Sequence, residues 1–163
     1  MGTMNERRAS WALVEGMILS GNVEWFEREK QALRDARCDN FTLYGYFDAI
    51  KIELQTAVTA LNNVLEEHST LPDTLVDAHE AVGLDRFKGS RKDEFIVKLE
   101  PLQRRVRALR SHTTNMISQI ESRITTIEGT MATITTLRAN QQNDINTLES
   151  GHTLAQRTRN SMD

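Results

Sequence analysis

The sequence predicts an all-α protein: an antiparallel helical bundle with one very long, coiled-coil-like C-terminal helix. Three observations carry this expectation. Of 163 residues only 6% are aromatic, two are proline and eight are glycine, a balance that favours helix over strand and turn. Apolar residues recur in steps of three and four, the helical period rather than the alternation of a strand. The last third keeps that period for about eight heptads, as a coiled-coil or bundle helix does.

The elements follow in order. Met1-Gly2-Thr3-Met4 reads as an expression scar ahead of a second start residue. Helical spacing begins with Trp11, Val14 and Ile18 and resumes with Val23, Phe26 and Leu33, while Ser20-Gly21-Asn22 between them is turn chemistry. A second break is expected at Cys38-Asp39-Asn40, where Asp39 or Asn40 caps the next helix by accepting from free backbone amides. From Phe47 through Ile50, Leu54, Leu61 and Leu65 the steps predict a helix of about six turns. Leu71-Pro72 interrupts it, because proline lacks an amide and pushes its predecessor out of helical geometry. Pro72 then opens a helix carrying Leu75, Ala78 and Val82, which Gly83 ends. Leu84 to Ser90 has no period and reads as the main loop, and Ser90 with Asp93 resembles a capping box.

The long helix is expected from about Pro101, which falls in its first turn or at a kink. Its seam reads Leu99, Leu102, Val106, Leu109, Thr113, Met116, Ile120, Ile124, Ile127, Met131, Ile134, Leu137, Gln141, Ile145, Leu148, His152 and Ala155. Upstream helices of roughly 23 residues or fewer cannot sheath the 62 residues from Pro101 to Met162 completely unless they are arranged end to end. The far half, Ile124 to Ala155, is therefore expected to lie uncovered by its own chain. Ile120, Ile124, Ile127, Ile134, Leu137, Ile145 and Leu148 are the candidate oligomer or partner seam. The predicted organisation is one domain: N-terminal helices over 5–89 and a stalk-like helix over 90–163.

Charge and composition exclude several classes. The net charge is −3, divided as −6 over residues 1–97 and +3 over 98–163. Arg104, Arg105, Arg107 and Arg110 form a basic cluster, but no aromatic residue interleaves it and no nucleic-acid motif is present. Pairing with the acidic N-terminal helices is the economical reading, and no nucleic-acid partner is expected. Cys38 is the single cysteine, so no intrachain disulfide or cysteine zinc cluster can form, which fits a reducing, intracellular compartment. No run approaches the roughly 20 apolar residues that cross a bilayer, and the N-terminus lacks a signal-peptide pattern. His68, His79, His112 and His152 have no metal-ligand spacing, and neither a phosphate-binding loop nor a nucleophile elbow is present. No enzyme and no cofactor are expected. Asp73, Asp77 and Glu80 share a helix face; it is either a weak Mg2+ site or a solvated acidic first turn.

The order of a tryptophan-containing helix, the run Tyr46-Phe47-Asp48-Ala49-Ile50-Lys51-Ile52-Glu53-Leu54-Gln55, the Leu61-to-Leu65 stretch, a hinge and a very long terminal helix resembles one known layout. It is similar to the cytosolic helical region of CorA-like divalent-cation transporters, particularly their divergent fungal members. Gln141-Gln142-Asn143-Asp144-Ile145 and Thr158-Arg159-Asn160-Ser161-Met162-Asp163 resemble the stalk just before the first membrane helix. The resemblance covers Trp11 to Asp163. The family's Gly-Met-Asn signature lies beyond that membrane helix and is not in this chain, nor is the β-rich part that precedes the helices in many members. The resemblance implies a soluble piece, cut before the first membrane helix, from the cytoplasmic side of a membrane. It would oligomerise through the long helix, sense Mg2+, carry Met162 at the pore mouth, and meet the membrane only through a segment outside this chain. The alternative is a stand-alone helical scaffold whose seam binds another coiled coil.

Overall fold

The computed structural model describes residues 4–71, 74, 77 and 90–162. They form α1 (Met4–Leu19), α2 (Val23–Glu67) and α3 (Ser90–Met162), with no strand among the described residues. Contacts group the chain into two compact units, one joining residues 1–48 to 129–163 and the other comprising 49–128. Each of α2 and α3 contributes to both, so the division cuts across the predicted 5–89 and 90–163 segments.

The turn at Ser20-Gly21-Asn22 forms as its residues dictate. Gly21 takes the left-handed conformation, φ 63°. The Gly21 amide donates to the Ile18 carbonyl (3.1 Å) and the Asn22 amide to that of Met17 (3.0 Å), the paired bonds of a Schellman ending. Asn22 then caps α2, its Oδ1 accepting from the Trp25 amide at 3.0 Å. A Cβ on Gly21 would also stand 3.2 Å from the Arg159 Cβ. Gly21→Ala is therefore expected to cost about 1–2 kcal/mol from the left-handed conformation alone. Urea unfolding followed by tryptophan fluorescence reads this directly, because the chain's two tryptophans, Trp11 and Trp25, both lie in the first unit. An unchanged midpoint would show that this turn does not hold α1 against α2.

The expected break at Cys38-Asp39-Asn40 does not occur: α2 is one helix of 45 residues. Asn40 caps nothing; its Nδ2 donates to Gln141 Oε1 on α3 at 3.1 Å. The helix-propensity deficit of asparagine or aspartate, about 0.7 kcal/mol, is small beside the packing of an inward face that keeps its register through the site. In the first unit that face is Phe26, Lys30, Leu33, Arg37, Asn40, Tyr44 and Phe47, buried or half-buried in steps of four and three. It runs antiparallel to α3, since Glu24 meets Arg159, Arg34 meets Glu149 and Phe41 meets Arg138.

This pairing corrects the expectation that the far half of the long helix lies bare. Met131, Ile134, Ile145, Leu148 and Ala155 are all buried within the chain. Phe26, Val14, Leu148 and Ala155 form a core cluster, with Met17, Ile18, Val23, Trp25 and Leu33 packed around it. The reason is register: α2 starts beside the end of α3 and runs back along it, so that its first part, with α1, covers residues 129–163.

In the second unit α2 offers Leu54, Val58, Leu61 and Leu65, and α3 offers Leu99, Val106, Thr113, Ile117, Ile120, Ile124 and Ile127. α2 ends at Glu67, after which Arg110 Nη1 donates to the Ser69 carbonyl at 3.2 Å. α3 starts at Ser90, so Pro101 lies in the helix interior rather than in its first turn. There it leaves the Val97 carbonyl without its helical donor.

Candidate interaction surface

The α3 seam of the second unit keeps heptad spacing, but in a different frame from the one apolarity alone suggests. Gln103, Arg110 and Ile117 turn towards α2 and are half-buried or buried. Their apolar neighbours Leu102, Leu109 and Met116 stay 48%, 66% and 41% exposed. Spaced by seven, those three form a ridge along one side of the helix pair. On α2 Val64 and, just beyond it, Leu71 are also seven apart and also exposed. Leu109 of the one ridge and Val64 and Leu71 of the other line a common groove of about 220 Å3, together with Leu65, His68, Val106, Arg110 and Thr113. A contiguous exposed apolar strip between paired helices is the form in which helical proteins receive another helix.

The rims of this groove are charged. One position further round α3 come Lys98, Arg105 and His112, again seven apart and all exposed. Lys98 lies 3.9 Å from Glu94 on its own helix, whereas Arg105 meets no carboxylate among the described residues. On the α2 side the exposed Glu67 stands beside the groove, and Glu53, also exposed, lies two heptads away along the helix.

In the first unit polar contacts brace the helices. Arg159 Nη1 lies 2.8 Å from Glu24 Oε1. Glu24 is held below the ordinary carboxylate range by its own backbone amide and then by that guanidinium. Lys30, buried to 6% exposure, pairs with Glu27 at 2.9 Å, and this bond lowers the Glu27 pKa. The aliphatic stem of Lys30 packs in the seam while its ammonium reaches the partly solvated Glu27. His152 Nε2 approaches the same carboxylate to 3.2 Å, but the angle does not align a hydrogen bond. Arg138 lies over the Phe41 ring, 4.9 Å from its centroid. Glu24 and Arg159 line an open surface hollow with Ser20, Gly21 and Asn22.

The sequence-predicted site residues are dispersed. Of the acidic face, Asp77 is exposed, and Asp73 and Glu80 lie outside the described residues. Among the described residues no group of three or more His, Cys, Asp or Glu is gathered as a metal site. Of the candidate partner seam, Ile134, Ile145 and Leu148 are buried by the chain itself, and Ile120, Ile124 and Ile127 are half-buried against it. Leu137 is the exception, 45% exposed because Arg138 turns inward instead. Met162 is exposed at the end of α3, and Cys38 is an exposed free thiol. Among the described residues no helix is long and apolar enough to cross a membrane. Sequence reasoning had counted Leu102, Leu109 and Met116 into the covered seam; the competing frame Gln103-Arg110-Ile117 was visible at the same spacing. No family model, curated protein or solved structure matches the chain.

Proposed function

We propose that this chain is a helical interaction scaffold, which pairs α2 with α3 and presents the second unit's ridge groove to a partner helix. The observation that supports the reading is the exposure of Leu102, Leu109 and Met116 at heptad spacing beside a satisfied seam. Side chains in that register keep between 41% and 66% of their surface exposed, apolar area that a second contact would cover. A direct test compares ridge with seam. Leu109→Glu combined with Met116→Glu is expected to leave helicity unchanged and the melting temperature within about 3 °C, as solvent-face changes do. Ile117→Glu, which places a charge at a position 7% exposed, is expected to unfold the second unit. A ridge pair as disruptive as Ile117→Glu would make the ridge a structural layer of the fold and overturn the reading.

A second reading is the cytosolic helical region of a CorA-like divalent-cation transporter. The specific feature in its favour is that α3 runs as one helix from Ser90 to Met162, as the stalk of that family does. On this reading millimolar Mg2+ raises the melting temperature beyond an ionic-strength-matched monovalent salt, by binding one state preferentially. Asp73→Asn with Asp77→Asn removes the difference. Equal shifts in both salts make that acidic face a solvated one and leave the scaffold reading alone.

A further inference from the structure

We propose that a hollow between α1 and α3 in the first unit binds the alkylated ammonium head of an organic cation. The site is separate from the ridge groove and does not depend on the scaffold reading. Trp11 and Val14 of α1, with Asp144, Thr147 and Leu148 of α3, line an open-mouthed space of about 140 Å3. All five residues belong to the first unit, so the packing of that unit alone shapes the site.

The apolar walls come from the core. Val14 and Leu148 are each 9% exposed and share the cluster around Phe26. Trp11 stands three residues before Val14 on the same face of α1, yet it is 59% exposed and lies outside that cluster. Its ring is a wall of the hollow and not a plug in the core. The polar side is made of acceptors. Asp144 is exposed and meets neither a cation nor a hydrogen-bond donor among the described residues. The Thr147 hydroxyl donates to the Asn143 carbonyl at 3.0 Å, which leaves its oxygen only lone pairs to offer a guest.

This lining selects by charge and by hydration. An anion would face the Asp144 carboxylate, and a neutral guest would leave that carboxylate unanswered. A metal ion or bare ammonium would give up tightly held water for one carboxylate and apolar walls. A methylated ammonium carries its charge under an apolar surface: its methyl groups meet Val14 and Leu148, and its charge is attracted both by the indole face and by Asp144. At roughly 30 Å3 for each water-sized group the space takes about five heavy atoms, the size of a tetramethylammonium ion.

The two indole N–H signals of the 15N-labelled chain test this by NMR, with Trp11→Phe identifying which is which. Tetramethylammonium chloride is expected to shift the Trp11 signal saturably in the millimolar range, while Trp25, packed edge-on against Phe26, stays in place. Sodium chloride at matched ionic strength and tert-butanol, an uncharged molecule of similar size, are each expected to leave both signals unmoved. A unit charge at about 4 Å in water is worth about 1 kcal/mol, so Asp144→Asn should weaken binding by about fivefold. The fold tolerates that change, because Asp144 is exposed. A Trp11 signal that fails to saturate, that follows sodium chloride or tert-butanol equally, or that responds identically in the Asp144→Asn protein would overturn the proposal. A short peptide bearing one trimethyllysine distinguishes the sources of the head group: binding tighter than the free ion assigns the hollow to a partner's side chain, and equal binding assigns it to a free cation. Failure leaves the ridge comparison untouched, since Leu109 and Met116 lie in the second unit.

Discussion

Replacing Phe26 with alanine is expected to lower the stability of the first unit by about 3–5 kcal/mol, the range for deleting a buried aromatic side chain. Phe26 is the largest fully buried side chain among the described residues, at 0% exposure. Val14 of α1 and Leu148 and Ala155 of α3 share its cluster, and the Trp25 ring meets it edge-on with centroids 4.9 Å apart. Removing the ring therefore deprives three helices of a common contact, and a bundle of this thickness has few other atoms to fill the space. Trp25 makes the test specific: the fluorescence transition in guanidinium should move to lower denaturant ahead of the circular dichroism transition, which both units share. A shift worth less than about 1 kcal/mol would show that the cluster collapses onto the void.

The second large effect is a clash at the same contact. A Cβ on Gly151 would stand 2.6 Å from Phe26 Cε1 and 3.0 Å from its Cζ. The ring is enclosed and cannot swing away, so Gly151→Val is expected to cost about 3 kcal/mol or more of overpacking. Relief of the helix-interior glycine returns only about 1 kcal/mol. Gly129 is the control, since nothing lies within 4 Å of a Cβ built there, and Gly129→Ala should stabilise by about 0.5–1 kcal/mol. Two glycines in one helix thus give opposite signs. Gly151→Ala combined with Phe26→Leu should be less destabilised than the two single changes predict by addition, because the smaller side chain vacates the contested volume. A Gly151→Val protein as stable as the parent would show that Phe26 has another place to go.

Much of the fold is legible locally. The Ser20-Gly21-Asn22 turn needed no tertiary information, because glycine accepts the left-handed conformation and asparagine caps the next helix. The period through Phe47 to Leu65 and along the last third is long enough for its type to be plain. The break at Cys38-Asp39-Asn40 was the misleading signal. Cap-forming residues state a preference of under 1 kcal/mol, and Asn40 spends its side chain on Gln141 across the helix pair instead. That single error halved the apparent length of α2.

By itself, the sequence determined that the chain is helical, that α1 and α2 part at Gly21, and that α3 carries a continuous heptad seam. What only the tertiary structure decided is which heptad frame faces inward over residues 102 to 117. Leu102, Leu109 and Met116 form one apolar frame, and Gln103, Arg110 and Ile117, one position along, form another of mixed character. Their directions differ by about 100° around the helix, so burial of one frame exposes the other. Side-chain chemistry favours the first frame, but the partner helix sets the outcome: α2 packs the face of Leu54, Val58, Leu61 and Leu65 in the unit where Val106, Thr113, Ile117 and Ile120 turn inward, and the apolar ridge is left on the flank. Hydrophobicity is a property of each residue, whereas the face it occupies belongs to the pair of helices.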